Sequence, residues 1–105
     1  MKVILTIDTS NNKEAIMGLT VDGKEHLLKQ QPDHRKAQVM LPMVEQLLME
    51  NKLTLQDITE IKVNVGPGSF TGLRVGVAIA NTLGMLLQVP VNGKSAGEIV
   101  EPTYS

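Results

Sequence analysis

The chain has 105 residues, 42% of them hydrophobic, enough for one compact domain with one core and too few for two. Ten Lys and Arg stand against eleven Asp and Glu, so the basic excess that strong binding to nucleic acid or to an anionic membrane requires is missing. The lack of cysteine excludes disulfides and thiol chemistry, and the apolar stretch before Asp8 is shorter than a signal-peptide core, so a cytoplasmic location is expected.

"KVILTID", residues 2–8, is apolar and β-branched nearly without alternation, which predicts a central strand covered on both faces. The segments 13–21 and 24–31 flank Asp22 and Gly23, a pair that supplies the positive φ angles of a tight hairpin, so the first three strands should form an antiparallel meander. Between Lys36 and Asn51 the residues Ala37, Met40, Leu41, Val44, Leu47 and Leu48 recur three or four apart, the period of a helix with one buried stripe. Pro42 lies inside that stretch and predicts a kink or a later helix start. Residues 60–66 read as a strand, 69–88 as a helix and 89–93 as a short further strand. That order predicts an α/β lobe, one mixed sheet of about five strands with two main helices. A single lobe is expected over 1–95, followed by a tail over 96–105 with no periodicity that would hold it down.

The loop Gly66-Pro67-Gly68-Ser69 leaves a strand and enters a helix, where the N–H groups of a first helical turn can face an anion. Ser69 reads equally as a helix N-cap, with the glycines permitting a sharp turn, and neither the lysine-bearing P-loop nor G-x-G-x-x-G is present. Asp8, Thr9 and Ser10 end the first strand in a turn that can hold phosphate or fasten a hairpin through its own side chains. Asp8, Thr9, Ser10, Gly66, Gly68 and Ser69 are therefore the candidate phosphate-binding residues. No catalytic residue emerges, because Ser69 lacks the G-x-S-x-G frame and neither His26 nor His34 has a route to it. His34 and Gln38 have the spacing of two ligands on one helix face, but glutamine is a poor transition-metal ligand. Neither a metal nor a cofactor is expected.

In the second helix Gly72, Gly76, Ala80 and Gly84 recur every four residues and align as a groove almost without side chains. Each glycine costs about 1 kcal/mol of helix propensity relative to alanine, so their register calls for a packing reason. The rest of the helix is apolar on nearly all sides; a membrane span is opposed by its glycines, by Arg74, Asn81 and Thr82, and by the short loops to flanking strands. A partner is thus expected on the small-residue stripe, with Met40, Met43 and Leu47 of the first helix completing the interface. Met40, Met43 and Met49 read either as adaptable interface or as ordinary core filling.

"ILTIDTS", "QVMLPMVEQLL" and above all "GPGSFTGLRVGVAIANTLG" resemble the bacterial TsaB (YeaZ) family, a helper subunit in making threonylcarbamoyladenosine on tRNA. The resemblance runs over nearly all of residues 3–95. It implies a ribonuclease H-like lobe of the actin, Hsp70 and sugar-kinase type, and docking through the two helices on the catalytic paralogue TsaD. It also implies the TsaE ATPase as a further partner and a homodimer when TsaD is absent, with no strong direct binding to tRNA. The metal-binding histidine pair of TsaD would fall at His34 and Gln38, so the pair is broken, as in a non-catalytic member. Members usually have two lobes, and this chain matches the first.

Three function classes follow. The first is a non-catalytic binding subunit that supports the tRNA modification. The second is a nucleotide- or phosphate-binding lobe with ATPase-type activity of its own. The third, a peptidase, lacks a nucleophile frame and a pair of histidine ligands.

Overall fold

The computed structural model describes residues 1–11, 13–31 and 36–103, apart from the side chains of Lys36, Ala37 and Phe70. Strand β1 (Val3–Asp8) buries Val3, Leu5 and Ile7 fully while Ile4, Thr6 and Asp8 are half-buried. One face of β1 thus lies under the helices and the other is partly open, where its sequence suggested two covered faces. Strand β2 (Ala15–Val21) pairs antiparallel with β1 and with β3 (Lys24–Gln30), and β4 (Glu60–Val63) runs parallel to β1. The order β3-β2-β1-β4 makes β1 an interior strand of a mixed sheet, as its composition predicts. At the hairpin, Asp22 (φ 48°) and Gly23 (φ 90°) both take the left-handed conformation that a two-residue turn of this hand requires.

Helix α1 (Lys36–Glu50) lies over β2 and β3, and α2 (Phe70–Leu87) over β4 and β1. Helix α1 runs through Pro42 without starting or ending there. Proline removes one helical hydrogen bond, and Pro42 and Gln38 sit on the exposed side, where water can serve the carbonyl left over. The buried stripe consists of Met40, Met43, Val44, Leu47 and Leu48; Leu41, counted into it from the spacing, points outward instead. Ser69 caps α2, its hydroxyl accepting from the Gly72 N–H at 3.3 Å, and Gln88 in the left-handed conformation (φ 55°) ends it.

The further strand anticipated at 89–93 shrinks to a single parallel bridge between Ile61 and Val91. Its ladder holds two backbone bonds, Ile61 N–H to Pro90 O and Asn92 N–H to Ile61 O, both 2.9 Å. Pro90 has no N–H, and Asn92 turns left-handed (φ 53°), so the strand cannot continue. The Asn92 side-chain amide carries the pairing one step further, accepting from Val63 N–H (2.8 Å) and donating to Val63 O (3.0 Å).

The tail is also held, contrary to the sequence-based expectation. Val100 is buried, and its N–H and C=O exchange hydrogen bonds with the Asn81 amide of α2, both 2.9 Å. Thr103 N–H then reaches Val65 O at 2.6 Å. A polar side chain reading backbone groups leaves no hydrophobic period in the sequence, which is why the segment looked free. Asn81→Ala should cost about 1–3 kcal/mol for each of the two polar groups of Val100 it leaves without a partner. Amide exchange at Val100 and Thr103 is expected to accelerate well beyond that of β1; unchanged protection would show that the tail is held by other means.

Candidate functional site

The turn after β1 and the loop before α2 meet at the same end of the sheet, and the residues singled out for phosphate binding are brought together there. Asp8 Oδ1 accepts from the Ser10 N–H (3.0 Å), the Ser10 hydroxyl (2.6 Å) and the Asn64 side-chain amide (3.3 Å). Asn64 Oδ1 in turn accepts from Gly66 N–H at 2.9 Å, and Ser69 N–H donates to Ser10 O at 2.8 Å. The N–H groups of Ser10, Gly66, Ser69 and Gly72, which an anion would need, therefore all have acceptors within the chain. Space points the same way. A Cβ placed on Gly68 would lie 2.6 Å from Ser10 Cβ and 2.8 Å from Ser10 O, so the turn and the loop are already in contact. With a carboxylate at its centre and these four N–H groups paired within the chain, the cluster acts as a clasp between β1, β4 and α2. Of the candidate phosphate-binding residues, Asp8, Ser10, Gly66, Gly68 and Ser69 meet at this clasp, while Thr9 turns under α2. Asn64 is the member that the sequence did not single out; its signal was an amide-bearing residue at the end of β4, directly before the glycine-rich loop.

The small-residue stripe requires a correction. A Cβ on Gly76 would strike Thr9 Oγ1 and lie 3.3 Å from Ile7 Cγ2, and one on Gly84 would lie 2.5 Å from Val91 Cγ2. Gly72 gives its carbonyl to Thr9, and Ala80 is fully buried. The groove is thus filled by this domain's own sheet. Met40, Met43 and Leu47 are likewise buried in its core, so none of the seven residues expected at a partner interface is open to a partner. The close approach inferred from the stripe is real, but what approaches is the side chains of Ile7 and Thr9 at the end of β1 and of Val91 at the bridge. His34 lies outside the described residues, and Gln38 is exposed. Among the described residues no three His, Asp or Glu side chains are grouped as metal ligands, and no helix is long and apolar enough to cross a membrane.

What the two helices leave open is the opposite side. Leu41 is 49% exposed and Met49 74% on α1, and Met85 is 53% and Leu86 74% exposed on α2. Thr71, Arg74, Val75, Ala78 and Ile79 of α2 line a shallow groove on the same outer side. At 100° per residue, positions 71, 74, 75, 78, 82, 85 and 86 share the arc opposite Gly76 and Ala80. The methionines divide accordingly, Met40 and Met43 filling the core and Met49 standing outside it. The signal for this outer face was present in the sequence as a helix apolar on all sides, and the glycines mark the half turned to the sheet.

The layout of a mixed sheet with two helices on one face is that of a ribonuclease H-like α/β lobe, and the comparisons place it there. Residues 30–98 match the family described as "TsaD: tRNA N6-adenosine threonylcarbamoyltransferase". The "tRNA threonylcarbamoyladenosine biosynthesis protein TsaB" of Bacillus subtilis is 37% identical over 90% of this chain and 42% of its own length. The protein of the same description from Buchnera aphidicola subsp. Schizaphis graminum is 35% identical over 93% of this chain and 46% of its own length. The solved structure of YeaZ from Pseudomonas aeruginosa superposes with a TM-score of 0.82 at 33% identity, covering 90% of this chain and 44% of that one. The chain belongs to the TsaB (YeaZ) family. It spans less than half the length of these relatives.

Proposed function

We propose that this lobe is a non-catalytic binding subunit in the formation of threonylcarbamoyladenosine on tRNA. It docks on a TsaD-type transferase through the outer faces of α1 and α2. The observation that carries the docking is the exposed apolar surface of the two helices: Leu41 and Met49 on α1, Met85 and Leu86 on α2, and on α2 the groove at Val75, Ala78 and Ile79. Exposed apolar surface on a small domain marks an interaction site where it is contiguous, and α2 supplies such a stretch. The names of the relatives support the pathway, and the resemblance to TsaB supports the partner. The same face serves a homodimer when the transferase is absent, and the TsaE ATPase joins the transferase-bound form in the cytoplasm. The inward-turned clasp at Asp8, Ser10 and Asn64 supports the non-catalytic part, since a lobe with ATPase-type activity would need those donors free.

Ala78→Arg tests the docking. Ala78 is exposed in the middle of the outer arc, so a long charged side chain there leaves the core alone. Titration against the TsaD-type subunit by calorimetry should show affinity reduced more than tenfold, about 1.4 kcal/mol, with an unchanged circular dichroism spectrum. Lys62→Ala on the exposed side of β4 serves as control and should bind like the parent. Binding of Ala78→Arg at parental affinity removes the outer face from consideration. Nucleotide hydrolysis by the parent that tracks the clasp would favour the ATPase-type reading instead.

A further inference from the structure

Asn92 and Gly93 are the chain's single Asn-Gly pair, and they form the corner of a tight turn. Lys94 N–H donates to Val91 O at 3.1 Å, and φ is 53° at Asn92 and 77° at Gly93, the two positive angles that a type I′ turn requires. Glycine serves that turn, and its missing side chain leaves the backbone nitrogen next to Asn92 uncovered. A Cβ built on Gly93 would meet nothing within 4 Å, and Asn92 is itself exposed, so water reaches both residues. Such a pair can react with itself. The Gly93 nitrogen adds to the side-chain carbonyl carbon of Asn92: the N–Cγ bond forms, the Cγ–Nδ2 bond breaks, and Nδ2 leaves as ammonia with the proton that the Gly93 nitrogen gives up. Water then opens the succinimide ring, at Cγ to give aspartate or at the backbone carbonyl to give isoaspartate.

In the folded chain the amide is engaged elsewhere. Its oxygen accepts from Val63 N–H at 2.8 Å and its nitrogen donates to Val63 O at 3.0 Å. The nitrogen that must leave is thus the one bonded to Val63, and ring closure has to give up that pairing. We propose that Asn92 is a deamidation site which its pairing with Val63 guards, and whose conversion undoes the same pairing. A carboxylate has no N–H, so the carbonyl of Val63, a residue only 6% exposed, loses its donor and faces a negative oxygen instead. Isoaspartate goes further: the chain now runs to Gly93 through the carbon that held the amide, one atom longer, and the turn between Val91 and Lys94 cannot close as before. The bonds that Ile61 makes with Pro90 and Asn92 beside that turn are then left to fray.

Mass spectrometry of the full chain, held in mildly alkaline buffer with and without guanidinium chloride, tests the site and its guard. In the denaturant Asn92 should convert before any other asparagine; in buffer alone its conversion should be at least tenfold slower. Conversion led by another asparagine in the denaturant overturns the site, and equal rates in the two states overturn the guard. The converted folded chain, separated by ion exchange on its added charge, is then compared with the parent by amide exchange, which reads local opening. The amides of Ile61 and residue 92 should exchange at least tenfold faster, with those of β1 and β2 unchanged. Asn92→Asp supplies the aspartate product in full yield and should accelerate the same two amides; if it does not fold, the converted parent decides alone. Parental exchange at Ile61 and residue 92 overturns the undoing of the pairing, and so does an acceleration shared equally by β1, which would mark a general loss of stability.

Discussion

Gly76→Leu should strongly destabilise the fold, and not merely association. The substitution adds four carbons where β1 already touches the helix: the first would strike Thr9 Oγ1 and lie 3.3 Å from Ile7 Cγ2. Overpacking of this kind costs about 1–3 kcal/mol. Displacing the Thr9 hydroxyl adds about 1–3 kcal/mol for each buried backbone group left without a partner. The gain in helix propensity from replacing glycine is about 1 kcal/mol and cannot offset these losses. The net loss of about 2–8 kcal/mol is a large share of the roughly 5–15 kcal/mol that holds a domain of this size together. Urea titration followed by circular dichroism should find no cooperative transition, or a midpoint far below that of the parent. Ala78→Leu, one turn's fraction away but exposed, is the control and should unfold like the parent. A native midpoint for Gly76→Leu would mean that the stripe does not face the sheet.

Thr9→Val is the second large effect expected, and it separates shape from hydrogen bonding. Valine matches threonine in outline but puts a methyl group against Gly72 O and Gly76 N–H, neither of which it can pair with. The methyl also keeps the two groups from closing on each other. Two orphaned buried groups cost about 2–6 kcal/mol together. Thr9→Ala, although it removes more atoms, should be the milder change because it leaves Gly76 N–H and Gly72 O room to pair with each other. Loss from valine greater than from alanine is the reverse of the usual order for core truncations. Chemical denaturation of the two variants gives the comparison directly, and the usual order would show that Gly76 N–H and Gly72 O are paired already and the hydroxyl is incidental.

The sheet, the hairpin and both helices were legible because each rests on a local signal: the Asp22-Gly23 turn, the period of Met40, Val44 and Leu47, the cap at Ser69. Small residues in register announced a close approach but carried no information on what approaches, since a glycine face fits a neighbouring strand as well as a partner helix. Parity offered the missing clue. Val3, Leu5 and Ile7 point inward, and continuing by two places puts Thr9 inward as well, under the helix. The clasp was harder to foresee, because the same donors that would hold an anion also satisfy Asp8, Asn64 and the Ser10 carbonyl, and only their directions tell the two apart. The tail and the shortened last strand depended on Asn81 and Asn92, whose side chains imitate backbone and leave no period to read.

The amide of Asn92 has a consequence for how this protein behaves when crowded. Open strand edges recruit other strands and seed aggregates, and a mixed sheet has two such edges. Beside β4, Val91 takes up the backbone of Ile61, and Asn92 takes up both the N–H and the C=O of Val63, so an incoming strand finds little ladder left to extend. At the other margin β3 sets Lys24, Glu25 and Lys29 in solvent, and an incoming strand would have to desolvate those charges. The β4 margin of the sheet is thus closed by the chain itself, which blocks self-assembly along that edge while the apolar side chains of the two helices stay exposed.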